Sequence, residues 1–266
     1  MTSWSDGFVA TAGSVQGREH VRVHKNNQDG FAIAGTGDTI VAAVTDGCSS
    51  SKYSEVGARL AAAWLARCAT TYAVGRSGPE RADALGQALI DFIGGVCFQM
   101  SPGGMPIDDL LHHYFLFTYL CCVMTREETW IVGQGDGVVS VNGRVRVLDS
   151  GPDNAPRYPA YRLADPSRLR GGASTVAAGR PATLFAGATA DVETVIIGTD
   201  GLTDLIERAE EPLSDGQRQG GLEQFEVEPR YITNPSLVHK RLVVIGEGHG
   251  RLRDDATLIL IRRTGS

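Results

Sequence analysis

The stretch IVAAVTDG, residues 40–47, decides the fold, because a run of strand length ends there in Asp46 and Gly47. Its first six residues are apolar or β-branched, which is typical of a buried strand. Upstream, residues 31–34 form a second such run, and residues 35–38 predict the turn between the two. This part of the chain is therefore expected to form neighbouring strands joined by a tight connection.

Downstream of residue 54 the apolar period changes from that of a strand to that of a helix. Ser54 is the expected N-cap, and a second helical pattern covers residues 81–100. The predicted buried face of the first helix consists of Val56, Leu60, Ala63, Trp64 and Cys68.

Strand-like runs return after the helices. Asn142-Gly143 predicts a two-residue hairpin turn between two of them. Residues 150–190 are weakly periodic and rich in Gly, Pro, Ala and Arg, which predicts a loop with a short flap. Because strands and helices do not alternate as in a parallel sheet, the order favours a layered α+β domain with mostly antiparallel sheets. The predicted strands are 115–124, 128–132, 138–141, 144–148, 193–198 and 256–262.

Composition narrows the class of function. The 266 residues carry a formal net charge of -6 without a cluster of Lys and Arg, which argues against a nucleic-acid-binding surface. No apolar run is long enough to span a membrane, and the first residues show no secretory signal. The five cysteines lack metal-ligand spacing and suit a reducing cytoplasm. We therefore expect a cytoplasmic protein with no membrane contact.

The position of the aspartates is the main functional signal. Asp46, Asp136 and Asp200 each follow a strand-like run and precede a glycine. Asp29 and Asp254 each lie just before a strand-like run. One Asp-Gly pair alone is an ordinary turn. Several carboxylates converging at strand ends would repel one another unless a cation lay between them, and oxygen ligands of this kind suit Mg²⁺ or Mn²⁺. The set as a whole therefore predicts a metal site.

At these residues the chain resembles the metal-dependent protein phosphatases of type 2C in their bacterial form. Four ordered blocks carry the resemblance, which covers roughly residues 11–262 of a single expected domain, 1–266. The blocks are NQD (27–29, after Gly13 and Gly17), TDGCSSSKYSEVGA (45–58), GQGDG (133–137), and GTDGLTD (198–204) paired with RDDAT (253–257).

The resemblance implies a four-layer α-β-β-α sandwich, with two antiparallel sheets and outer helices. It also implies two bound ions, Mn²⁺ or Mg²⁺. Carried over position by position, Asp46 would bridge both metals and the Gly47 carbonyl would contact one of them. Asp200 and Asp254 would hold the first metal, and Asp29 would bind near the second, directly or through water.

Asp136 matches the position linked to a third, looser metal in bacterial members. Many members carry an arginine that contacts substrate phosphate where this chain has His24, followed by Lys25. These two residues are the candidates for substrate binding, although His24 could equally be a surface residue on a loop. Gln28 replaces a glutamate of eukaryotic members, which indicates the bacterial subtype.

The expected activity is hydrolysis of phosphoserine or phosphothreonine in a protein by a hydroxide that bridges the two ions. A phosphoprotein substrate, a cognate Ser/Thr kinase and a monomeric state are expected with it. No cysteine is followed six positions later by arginine, so a cysteine-nucleophile phosphatase is excluded. Two alternatives stay open: another two-metal phosphoesterase such as a nuclease, and a catalytically weak phosphoprotein-binding module.

Overall fold

A computed structural model describes residues 2–4, 7–73, 75–151, 156–164, 179–213, 216–247 and 252–264. Its strands form two sheets in which all neighbouring strands are antiparallel. The strands are β1 (Thr2–Trp4), β2 (Phe8–Val15), β3 (Gly30–Thr36), β4 (Thr39–Gly47), β5 (Phe117–Thr125), β6 (Glu128–Gln134), β7 (Gly137–Val141), β8 (Arg144–Leu148), β9 (Ala182–Ala188), β10 (Thr194–Gly198) and β11 (Ala256–Arg263).

The five-stranded sheet pairs mostly consecutive strands, whereas the six-stranded sheet combines strands that lie far apart in the sequence. One has six strands in the order β1-β2-β11-β10-β7-β8, and the other has five in the order β3-β4-β5-β6-β9. The last strand, β11, inserts between β2 and β10, so the two ends of the chain meet in the six-stranded sheet. Among the described strands, β8 and β9 each have one paired neighbour and are edge strands of the two sheets.

Helices cover both outer faces of the sheets. One apolar core lies between α2 to α4 and the five-stranded sheet, a second lies between the sheets, and a third lies beneath α5 to α8. The predicted four-layer α-β-β-α sandwich is therefore confirmed. The helices are α1 (Arg18–Arg22), α2 (Ser54–Ala73), α3 (Gly78–Met100), α4 (Ile107–Tyr114), α5 (Leu202–Glu207), α6 (Glu223–Val227), α7 (Arg230–Thr233) and α8 (Leu237–Glu247).

The buried face predicted for α2 is wrong. Val56 and Leu60 are 50% and 39% exposed, and Trp64 is only partly buried, stacked on Phe92. The helix packs instead through small residues, because a close approach to the sheet leaves little room: a Cβ atom at Gly30 would overlap the α2 backbone at Ala58. The buried stripe is Gly57, Ala58, Ala61, Ala62, Leu65, Ala66 and Ala69.

The hairpin at Asn142-Gly143 is confirmed, with backbone φ angles of 51° and 76°. The prediction of a loop over residues 150–190 is wrong in part, since β9 forms within it as an edge strand. An edge strand needs only one apolar face and one partner, so its sequence pattern is weak. The predicted flap falls partly on residues 152–155 and 165–178, which lie outside the described residues.

No helix in the described parts of the chain is both long enough and apolar enough to cross a membrane.

Candidate metal centre

Four separate elements bring carboxylates into one cleft of about 220 Å³. Asp46 ends β4, Asp136 lies between β6 and β7, Asp200 lies between β10 and α5, and Asp254 precedes β11. Strand ends are rigid supports, so each carboxylate is held by an element that packs into a core. The cleft is lined by Asp46, Gly47, Cys48, Ser49, Ser50, Thr118, Asp136, Pro156, Tyr158, Asp200 and Asp254.

Asp29 lies outside this lining and is buried, at 3% exposed. The Thr199 hydroxyl donates a 2.8 Å hydrogen bond to Asp29 Oδ2, and the Thr257 backbone N–H donates to that hydroxyl at 3.0 Å. Asp29 is close enough to Asp46 for its charge to raise the pKa of Asp46, and burial and the charges of Asp255 and Asp200 raise the pKa of Asp29 itself. Of the six predicted metal-contacting residues, five line the cleft and Asp29 lies next to it.

Burial, together with crowding, makes the ionisation of three carboxylates in the cleft unfavourable. Burial, followed by the charge of Asp200, raises the pKa of Asp46 well above its ordinary range. The same two causes raise the pKa of Asp136 to about 7 and that of Asp254 to about 6. Such shifts are expected when several carboxylates share a site without a cation between them.

The oxygen atoms of the site fit a hard divalent cation. Oδ1 of Asp29, of Asp136 and of Asp200 is buried and accepts no hydrogen bond from the described residues. Buried polar atoms without partners are rare and costly, and each of these oxygens would gain a partner as a ligand of a cation. The lining also includes Gly47, whose only oxygen is that of its backbone carbonyl, but no histidine. The residues therefore fit Mg²⁺ or Mn²⁺ better than a metal that prefers nitrogen.

Asp255 organises the segments around the cleft, a role that the sequence did not reveal. It is 3% exposed and accepts hydrogen bonds from the Gly17 backbone N–H at 2.7 Å and the Gln28 backbone N–H at 2.6 Å. His20 Nδ1 lies 2.8 Å from its Oδ2. A single buried carboxylate thus joins the end of β2, α1 and the segment that carries Asp29 to the start of β11.

His20, Asp254 and Asp255 each offer a ligand atom within 4.8 Å of the other two. The 2.8 Å contact between His20 and Asp255 is a direct hydrogen bond, and it raises the pKa of His20. Both Asp255 oxygens are already used by backbone donors. We therefore interpret His20 and Asp255 as a support that positions Asp254. In the sequence, the adjacent pair Asp254-Asp255 was the single indication of this support.

A second support lies on the other side of Asp254. The buried Asp204 carboxylate accepts two hydrogen bonds from Arg253. The Arg253 backbone N–H donates at 2.7 Å and its side-chain Nε donates at 2.8 Å. The Arg253 side chain is 55% exposed and also lines a smaller cleft that contains Asp200 and Asp254. Asp254 is therefore held between two residues that are each tied to other elements.

Two glycines allow the carboxylate segments to approach each other. A Cβ atom at Gly17 would overlap the Asp254 backbone, and one at Gly201 would overlap the Asp255 carbonyl. Any side chain at either position would push the segment before β11 out of place.

His24 and Lys25 do not line the aspartate cleft. His24 is exposed, with a positive φ of 56°, while the Lys25 ammonium group donates to the Ser49 carbonyl at the lip of the cleft. A role for either residue in binding substrate stays a prediction, and the geometry favours Lys25.

Cys48 lies in the cleft directly after Gly47 and is half-buried. Burial raises the pKa of its thiol, but hydrogen bonds with Ser50 and Tyr158 outweigh that effect, so the pKa lies below its ordinary value. Its Sγ is 3.1 Å from Ser50 Oγ. Sequence spacing excluded Cys48 as a nucleophile but did not reveal that a thiol with a lowered pKa lines the site.

Comparison with solved structures shows proteins of the same fold. Serine/threonine phosphatase Stp1 from Staphylococcus aureus is 15% identical, with a TM-score of 0.56 over 100% of this chain and 98% of that one. Serine-threonine phosphatase 2C from Toxoplasma gondii is 14% identical, with a TM-score of 0.57 over 99% and 96%. The catalytic domain of PstP, in complex with two manganese ions, is 15% identical, with a TM-score of 0.51 over 97% and 99%.

No curated protein matches the chain by sequence. The family described as protein phosphatase 2C matches residues 16–223. This range includes the first three sequence blocks, with Asp29, Asp46 and Asp136, and also Asp200. Because this match spans most of the chain, the chain belongs to the protein phosphatase 2C family and is, as a member, a protein serine/threonine phosphatase.

Proposed function

We propose that the chain hydrolyses phosphoserine or phosphothreonine in proteins with the help of two divalent cations, Mn²⁺ or Mg²⁺. The observation that carries the proposal is the convergence of Asp46, Asp136, Asp200 and Asp254 from four elements into one cleft. Burying these carboxylates close together has no structural benefit by itself, since burial and mutual repulsion raise the pKa values of Asp46, Asp136 and Asp254 and leave oxygens without partners. A functional site with cations accounts for both effects.

The residues would share the ions as follows. Asp46, as the most central carboxylate, would contact both, and Asp200 and Asp254 would hold one of them. Asp29 would serve the other ion, and Asp136 would serve a looser third. When bound, such ions lower the pKa of a water and neutralise charge on the phosphoryl oxygens. The two manganese ions of the PstP domain support the choice of metal.

The chain's own part is to hold these groups in place. Thr199 and Thr257 fix the orientation of Asp29 through a chain of two hydrogen bonds. The Lys25 side chain places positive charge at Ser49, where a phosphate entering the cleft would pass. Tyr158 is buried against Cys48 and limits the width of the cleft.

The test is metal-dependent turnover with two kinds of substrate. With Mn²⁺, the protein should release phosphate from a phosphoserine or phosphothreonine peptide and should leave single-stranded and duplex DNA intact, and EDTA should stop turnover. Cleavage of DNA would favour the alternative of a nuclease. Binding of phosphopeptide with Mn²⁺ but without turnover would favour a catalytically weak phosphoprotein-binding module.

A further inference from the structure

The open side of the sandwich carries a groove that the active site does not use. It has a volume of about 590 Å³ and lies between β8 and β9, which are edge strands of the two sheets among the described residues. Its floor belongs to the core between the sheets, through Val139 and Val141 on β7 and Leu184 and Phe185 on β9. The groove is therefore a continuation of the core that the described residues do not fill.

A β-bulge on β9 creates the apolar wall. Ile131 pairs with Phe185 but Val132 pairs with Thr183, so Leu184 is an extra residue in the ladder. The bulge turns Leu184 and Phe185 towards the same core instead of opposite faces.

The other wall carries positive charge on an otherwise acidic protein. In the β7–β8 ladder Arg146 is opposite Val139 and Arg144 is opposite Val141, so both arginines lie on the face that looks between the sheets. Both side chains are exposed, and neither side chain makes a hydrogen bond or ion pair with the described residues. Asp191 is the single acidic residue among those lining the groove.

The opposite face of the same edge strand is apolar. Val145 and Val147 are 46% and 50% exposed, and they alternate with Arg144 and Arg146 along β8. A strand added to this edge would meet arginines with one set of side chains and valines with the other.

Hydrogen bonds also tie the rim to the segment that leads into β10. Asn142 at the tip of the hairpin accepts from the Glu193 and Thr194 backbone N–H groups at 2.7 and 3.1 Å, and it donates to the Asp191 carbonyl at 2.7 Å. The edge is therefore anchored to the next strand, which reduces the entropic cost of docking.

We propose that this groove docks an extended segment of a partner protein in which acidic and apolar residues alternate, added as a strand along β8. Its acidic side chains would face Arg144 and Arg146 in the groove, and its apolar side chains would cover Val145 and Val147. A second copy of β8 fits poorly, because its own arginines would come to lie against these two.

The experiment measures binding of a fluorescein-labelled peptide of four glutamate–valine repeats to the full chain by fluorescence anisotropy at low ionic strength. Saturable binding is expected. The double variant Arg144→Glu/Arg146→Glu should weaken it by at least roughly tenfold, because both charge pairs become repulsive. Arg67→Glu/Arg76→Glu, with one change on α2 and one just after its end, makes the same change of charge elsewhere and should bind like wild type. Hydrolysis of p-nitrophenyl phosphate should be equal in all three proteins, so loss of docking is separable from loss of catalysis.

Two further peptides test the mode of binding. A lysine–valine repeat should not bind, and a glutamate–valine repeat N-methylated at alternate residues should bind at least roughly tenfold more weakly if the backbone pairs with β8. The proposal is overturned by equal binding of the lysine peptide, by unchanged binding of the Arg144/Arg146 variant, or by no saturation up to about 1 mM, the range of negligible affinity. Concentration-dependent dimerisation that the same variant abolishes, without peptide binding, would assign the edge to a second copy instead.

Discussion

Asp254 and Asp255 are neighbours in sequence but occupy opposite environments: the side chain of Asp254 is 51% exposed in the cleft, whereas that of Asp255 is 3% exposed and fully hydrogen-bonded. One carboxylate faces the expected ions and the other holds the surrounding backbone together. Function and stability are therefore divided between two adjacent residues of the same type.

Substitution by alanine should separate these two roles. Asp254→Ala should abolish Mn²⁺-dependent hydrolysis of p-nitrophenyl phosphate with little loss of stability. Asp255→Ala should lower the free energy of unfolding by roughly 2–5 kcal/mol, because two buried backbone N–H groups lose their acceptor. Chemical denaturation and steady-state kinetics on both variants check this. Equal loss of stability in the two variants would contradict the division of roles.

Asp46→Asn should abolish turnover but make the metal-free protein more stable. The amide cannot be charged, so it removes repulsion with Asp200, Asp29 and Asp136 while keeping the shape of the side chain. We expect turnover to be lost and the Tm measured in EDTA to rise by a few degrees, about 2–4 °C per kcal/mol gained. Added Mn²⁺ should raise the Tm of wild type much more than that of the variant. Near-wild-type activity in Asp46→Asn would remove Asp46 from the metal site.

The pH dependence of the metal-free protein should reflect Asp136. Its pKa is raised from 3.8 to about 7 in the folded state, so the folded protein binds the extra proton more tightly than the unfolded chain does. The stabilisation from this proton is present below pH 4 and is lost as the pH rises towards 7. Asp136→Asn in EDTA should therefore differ little from wild type at pH 4 but be more stable at pH 8. Thermal unfolding of both proteins at pH 4 and pH 8 measures this difference in stability. The same difference at both pH values would contradict the prediction.

Alkylation of Cys48 should block the cleft. The thiol lines the site and its pKa is lowered, so iodoacetamide should react with it before the buried Cys97, Cys121 and Cys122 and should inhibit turnover. Because Cys48 is not the nucleophile, Cys48→Ser should remain active and become resistant to the reagent. Cys68→Ser is the matched control, since Cys68 is also half-buried but lies on α2, and it should remain sensitive.

Lys25 and His24 should differ in their effect on substrate affinity. Lys25→Ala removes a positive charge from the lip of the cleft and should raise KM for a phosphopeptide, by several-fold at low ionic strength. His24→Ala should leave KM unchanged at pH 6 and at pH 8, because the side chain does not line the cleft. A rise in KM for His24→Ala alone would show that the phosphate approaches from the α1 side.

The carboxylates of the cleft could be predicted because each one ends or begins a strand, and strand runs such as residues 40–45 are strong local signals. The buried face of α2 could not, because its contact with the sheet is made by alanines and glycine, while the large apolar residues Val56 and Leu60 remain exposed. Amphipathic reasoning assumes that the largest side chains are the buried ones, and a closely packed helix reverses this.

The supports of the site were also hidden in the sequence. Asp255 acts through contacts with residues more than 220 positions away, at Gly17, His20 and Gln28, and no local pattern encodes such contacts. The strand β9 was missed for a related reason: as a bulged edge strand it has no clean alternation of apolar and polar residues.

Gly17 and Gly201 give the site an unusual kind of vulnerability. Each leaves the space into which the backbone of Asp254 or Asp255 fits, so a methyl group there would act on the site as effectively as removal of a carboxylate. In a library of random variants, these two positions should therefore tolerate as few substitutions as the aspartates themselves. An attempt to graft this centre onto another scaffold by copying only its acidic side chains would fail for the same reason, since part of what must be transferred is empty space.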